Sequence, residues 1–207
     1  MDVCAGVSLV TAYGVRVILA SGSPRRRELL QQIGVYFSVQ PADIDETPLA
    51  DEDAVAYVER MALEKARVVA KQNPDELVLG SDTSVILNGE ILGKPVSKGE
   101  ARETLGRLSG QTHEVLSAVA LVRGATERVI SVATKVRFRV LSDDEIRRYV
   151  DTGEPEDKAG SYGIQGKGAV LVAGIEGSYS NVVGLPLTET AALLNEFDVP
   201  VWQTEEA

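Results

Sequence analysis

Hydrophobic and polar positions change period several times along the chain, and each change marks an element. The run 15-VRVILA-20 is apolar and β-branched, which predicts a buried strand. Ser23 then supplies a cap and Pro24 the first position of a helix whose Leu29, Leu30 and Ile33 share one side, ending at Gly34. A longer helix is predicted from about Asp51 to Lys71, stopped by Asn73-Pro74. At about 100° per residue its Val55, Val58, Met61, Ala62 and Val69 form one stripe, and Lys65 falls inside it. The segment 77-LVLGSDTSVILNGEILGKP-95 holds two apolar runs around Asn88-Gly89, the signal of a two-residue hairpin. Capping boxes at Ser97-x-x-Glu100 and Ser142-x-x-Glu145 open helices ending near Gly110 and Gly153. Residues 114–122 and 129–141 read as strands, the second alternating Val136, Phe138 and Val140 against Arg137 and Arg139. A last helix runs from about Thr188 to Phe197.

Strands joined both by hairpins and by helices predict an α/β fold with a mixed, largely antiparallel sheet flanked by helices. Between Gly160 and Gly184 lie seven of the 19 glycines, which predicts tight turns and close backbone approach. With no internal repeat or long linker, the expectation is one domain over 15–200, an N-terminal extension over 1–14 and a tail over 201–207. The extension, MDVCAGVSLVTAYG, has neither a basic segment nor a long apolar run, so no signal peptide or membrane span is expected.

Charge narrows the partners. A net charge of -10 opposes broad binding to nucleic acid or anionic membrane, so an anionic ligand would have to be held locally. Cys4 is the lone cysteine, which excludes an intrachain disulfide and a Cys-rich metal site and fits a reducing compartment.

Against that background the stretch 19-LASGSPRRRELLQQIG-34 stands out, because it sets Arg25 and Arg26 at a helix N-terminus, the positive end of the macrodipole. A bound anion reverses the sign of that arrangement, and three solvated arginines are the alternative. Neither a Walker loop nor GxGxxG is present. Lys65 either snorkels past its apolar stripe or meets a buried anion. Asp82, inside an apolar strand, needs a cation, a metal or backbone N–H groups near Gly80 to offset burial. In the Asn88-Gly89 register Thr83 lies opposite Lys94, so Asp82 and Lys94 point to opposite faces unless a bulge or a strand end intervenes.

Asp45 and Glu46 offer hard oxygen ligands for Mg²⁺ or Mn²⁺, or form a solvated acidic loop. His113, the single histidine, is favoured as a structural hydrogen-bonding residue. Gln165, in a glycine-rich turn, suits reading a base edge or bracing the loop. Together these groups fit a polyphosphate held by cations, with a carboxylate and a divalent ion organising water for attack at phosphorus.

The motifs LASGSPRRRELL, DETP, EKA in the second helix, GSDTSVILNGEILGKP, LSGQTHEV and DKAGSYGIQGKGAVLVAGIEGSYSNVVGLPL, in that order, resemble the Maf family of nucleotide pyrophosphatases over nearly all of residues 17 to 195. The resemblance implies a fold like the inosine-triphosphate pyrophosphatases and a cytoplasmic, commonly dimeric enzyme. Such an enzyme uses a divalent metal, Mg or Mn, to cleave nucleoside triphosphates to monophosphate and pyrophosphate. By motif, Asp82 is the proton acceptor or a metal ligand, Ser21, Arg26, Lys65 and Lys94 hold phosphate, and Glu46 assists the metal. Arg25, Thr83 and Gln165 resemble the specificity positions of the branch acting on dTTP and UTP, and modified pyrimidine nucleotides fall within the same expectation. Ser84 departs from the family pattern, which usually has an apolar residue there, and is expected to perturb the strand slightly without affecting the site. The competing expectation is a non-catalytic nucleotide sensor that regulates septum formation; a nucleic-acid binder fits the charge least.

Overall fold

A computed structural model describes residues 15–203. The predicted N-terminal extension with Cys4, and residues 204–207 of the predicted tail, lie outside the described residues. The opening strand–turn–helix forms as β1 (Val17–Leu19) and α1 (Pro24–Gln32), followed by a short β2 (Ser38–Val39) and the long α2 (Ala54–Ala70). The Asn88-Gly89 hairpin joins β3 (Leu77–Leu87) to β4 (Glu90–Leu92). Asn88 and Gly89 have φ of 52° and 84°, the left-handed pair that a type I′ turn requires. Then follow α3 (Lys98–Leu108), the long β5 (Thr112–Arg123) and β6 (Thr126–Phe138), α4 (Asp143–Val150), β7 (Val172–Glu176), α5 (Tyr179–Val183) and α6 (Leu187–Asn195).

Among the described residues the sheet runs β2-β1-β3-β5-β6-β7, with β4 also paired to β3. β1 is parallel to β2 and β3, and every other pairing is antiparallel, which is the mixed, largely antiparallel α/β sheet expected. Alternation along β3 sends Leu77 and Leu79 to a core with Leu29, Leu30, Leu193 and Leu194, while Val78 and Ile86 face Val58, Met61, Ala62 and Val69 of α2. Val85 and Leu87 join a third cluster with α3 and α4. Among the described residues no helix is long and apolar enough to cross a membrane.

The strand register creates the site. β1 stays with β3 only as far as Leu19 opposite Leu79, and β4 joins at Leu92 opposite Val85. From Gly80 to Ser84, β3 is therefore paired to β5 alone, leaving one edge open.

Several local expectations are corrected. Val140 is 79% exposed because β6 ends at Phe138, just after a register shift against β7 between Arg137 and Phe138, so the predicted alternation does not extend to it. Val55 sits in the first turn of α2 and is 43% exposed, outside the buried stripe. The Ser142 box forms in full, whereas Glu100 accepts from the N–H of Val96 instead of that of Ser97. Ser84 keeps its register opposite Leu116, so its polarity does not disturb β3.

Candidate active site

The open edge of β3 forms the floor of a pocket of about 700 Å³, walled by the start of α1, the acidic loop before α2, the chain after β4 and the glycine-rich segment. Ser21, Arg25, Arg26, Glu46, Lys65, Asp82, Thr83 and Lys94 all line it. Gln165 is exposed on its loop, where the neighbouring Ile164 is the one that lines the pocket.

Lys65 and Asp82 meet because α2 crosses β3 at Gly80, where an added Cβ would overlap the Ala62 carbonyl oxygen and press on Ala66. Any side chain there would push the helix off the sheet. At that contact Lys65 Nζ lies 2.8 Å from Asp82 Oδ1 and 2.7 Å from Glu46 Oε1. Lys65 and Asp82 are only 8% and 9% exposed, so each neutralises a charge that the other could not bury alone. Asp82 Oδ2 makes no hydrogen bond within the described residues. Partial burial pushes the Glu46 carboxyl up, but the hydrogen bond and charge of Lys65, with Lys94 and Arg26 behind it, leave it below the usual range. Lys94 follows the end of β4, so sheet alternation does not bind it and it shares the pocket with Asp82; the strand end resolves the conflict of faces.

Across the pocket, Arg26 is fixed at three points. Its Nε donates to Gly184 O at 2.9 Å, Nη1 to Ser21 Oγ at 3.2 Å and Nη2 to Thr83 Oγ1 at 3.0 Å. Each terminal nitrogen carries a second N–H, so the fork keeps two donors for an oxyanion. Burial lowers its pKa and Asp82 opposes that, but a guanidinium stays charged in either case. At the start of α1, Pro24 has no N–H and Ser23 Oγ accepts that of Arg26, so the arginine side chain adds donors that these two backbone positions cannot supply. Arg25 reaches Asp157 at 3.5 Å at the pocket mouth.

His113 forms the expected structural bond: Nε2 lies 2.8 Å from Tyr162 Oη, in a cluster of edge-on rings with Phe138. The bond of Thr83 to Arg26, the Gly184 carbonyl and the Asp157–Lys158 wall escape a reading of the sequence. Each depends on contacts across more than fifty residues, which no local pattern encodes.

Among the described residues no group of three or more His, Cys, Asp or Glu side chains forms a ready metal cage. Glu46 and Asp82 do place two hard carboxylates on one ammonium at the pocket, a donor set that suits an ion completed by ligand phosphates and water.

Such an interrupted sheet edge, ringed by cations and two carboxylates, defines an α/β protein suited to a small, highly anionic ligand. The chain belongs to the Maf-like protein family, whose pattern it matches over residues 16–197. It is 57% identical over 185 residues to a protein of Myxococcus xanthus named dTTP/UTP pyrophosphatase, covering 89% of this chain and 94% of that one. It is 52% identical over 187 residues to one of the same name from Symbiobacterium thermophilum, covering 90% and 96%. In fold it is similar to a HAM1 protein of Coxiella burnetii, with TM-score 0.51, 20% identity and coverage of 88% of this chain and 99% of that one.

Proposed function

We propose that the protein is a pyrophosphate-releasing hydrolase that converts dTTP and UTP to the monophosphate and pyrophosphate. Support comes from the relatives' names and, above all, from Asp82, whose Oδ1 is held by Lys65 while Oδ2 stays free at the pocket. In this reading Oδ2 accepts the proton of the attacking water. Arg26 grips phosphate oxygens with its two spare N–H donors, oriented by Ser21 and Thr83. Lys65 and Lys94 offset the charge that builds on the leaving pyrophosphate. In its alternative role as a metal ligand, Asp82 would join Glu46 in holding a divalent cation, Mg or Mn, which when bound neutralises phosphoryl charge and acidifies a coordinated water. Arg25 at the pocket mouth reads the base edge together with Gln165, whose exposed loop would turn inward over bound nucleotide; the two carbonyls and one N–H of that edge suit a cation and an amide. The reading extends to a homodimer that acts on free nucleotide in the cytoplasm, with no nucleic-acid or membrane partner, in keeping with the net charge of -10.

Purified protein is incubated with a panel of normal and modified nucleoside triphosphates and Mg²⁺ or Mn²⁺, and monophosphate and pyrophosphate are measured. Release from dTTP and UTP that is lost in Asp82→Asn supports the proposal. Binding without turnover across the panel overturns it in favour of a nucleotide sensor.

A further inference from the structure

The loop that brings Glu46 to Lys65 has almost no apolar anchorage. No residue from Asp45 to Asp51 is buried, and the segment forms neither helix nor strand. Exposed loops of this kind open readily unless polar contacts fix them. Here the contacts converge on one face of α2. Arg60 makes a two-point pair with Glu52, Nε to Oε1 and Nη2 to Oε2, both 2.6 Å. Its Nη2 also donates to the Thr47 carbonyl at 3.2 Å, and Glu52 Oε2 accepts the Leu49 N–H at 3.0 Å. Tyr57 Oη donates to the carbonyl of Glu46 itself at 2.9 Å, and the Arg60 guanidinium lies 5.7 Å from the Tyr57 ring centre. Tyr57 and Arg60 are three residues apart and share a helix face, one to two turns before Lys65 on α2. The loop is thus mounted on the same helix as the ammonium it must meet.

We propose that Arg60 is a positioning residue for Glu46: its fork ties Glu52 and Thr47 to α2 and thereby sets the Glu46 carboxylate on Lys65, beside Asp82. Arg60 does not line the pocket, so it acts on the site indirectly, through the loop and through Tyr57, which lines the pocket and holds the Glu46 carbonyl. A lysine cannot replace it, because the two-point geometry needs a planar fork. The hydrogen bond and charge of Arg60 also hold the Glu52 carboxyl down to about 2, so the pair stays ionised into the acid range. The kinetic arm of the test rests on the proposed hydrolysis; the loop arm does not.

Arg60→Met, Arg60→Lys and Glu52→Gln are made in the full chain. Hydrogen exchange of the 45–52 segment is expected to quicken roughly tenfold in Arg60→Met and in Glu52→Gln, as for loss of a charged hydrogen bond, with α2 and β3 unchanged. Turnover of dTTP in Arg60→Met is expected to fall roughly tenfold, the usual size for the partner of an orienting carboxylate. In a Glu46→Gln background the same change should cost nothing further, and Arg60→Lys should recover less than half of the loss. Unchanged loop exchange, or losses that multiply in the double variant, would overturn the inference. Were Arg60→Met not to fold, Glu52→Gln cuts the tie from the loop side with the same two readouts. If the unmodified protein hydrolyses no triphosphate, the proposed function fails, and the exchange arm still decides whether Arg60 holds the loop.

Discussion

Lys65 and Asp82 form a buried cross-link between helix and sheet, Nζ to Oδ1 at 2.8 Å, directly beside the point where Gly80 lets α2 touch β3. A buried pair of this kind contributes little net stability, yet removing one partner strands the other. Lys65→Met is therefore expected to lower stability by about 3–5 kcal/mol in urea unfolding at neutral pH. The double variant Lys65→Met/Asp82→Asn should regain most of that. If the two losses simply add, the pair is not the unit described.

Thr83 separates two roles by measurement. Its hydroxyl touches Arg26 Nη2 at 3.0 Å and Ser117 Oγ at 2.9 Å, so it orients the proposed phosphate fork. Thr83→Val should raise KM for dTTP and UTP together, by roughly tenfold for one lost hydrogen bond to a charged group, with little effect on kcat. A change confined to the choice of base would assign Thr83 to base recognition instead.

The ease with which these parts can be read from sequence is uneven, for physical reasons. Asn88-Gly89, the Ser142 capping box and the β3 alternation are local, and the structure contains them as expected. Asp82 and Lys65 are conspicuous because a charge among apolar residues needs a partner, and each is the other's. What stays hidden is set by where strands end. Lys94 clears the conflict of faces only because β4 stops at Leu92, and the open edge from Gly80 to Ser84 reflects the lengths of β1 and β4 jointly. Arg60 gives no signal at all, since its worth lies in an irregular loop that pattern cannot place.

The glycine-rich loop bearing Gln165 hangs on one carboxylate. Glu154 accepts from the N–H groups of Lys167 at 2.8 Å and Gly168 at 2.9 Å, and from Tyr149 Oη at 2.8 Å. Glu154→Ala should therefore reproduce the phenotype expected of Gln165→Ala, a relaxed preference among pyrimidine and purine triphosphates larger than the fall in turnover. Competition assays with mixed nucleotides measure it. Unaltered selectivity in Glu154→Ala alongside a clear effect of Gln165→Ala would show that the clamp does not set the amide.

His113 makes stability depend on pH in a defined window. It is 2% exposed, and burial lowers its pKa from 6.5 to about 4. Between those values the unfolded chain binds a proton that the folded chain refuses, so unfolding free energy falls as pH falls. The contribution is complete above 6.5, declines from there toward about 4, and is flat below. Its full size is roughly 3 kcal/mol, because each tenfold loss of proton affinity on folding is worth about 1.4 kcal/mol. Removing the imidazole as His113→Phe costs the 2.8 Å bond to Tyr162 at every pH, lowering the whole curve, but it should flatten the slope between pH 5 and 6.5, where carboxylates contribute least. Urea midpoints at half-unit steps of pH provide the check, and an unchanged slope in His113→Phe would mean that another group carries the acid sensitivity.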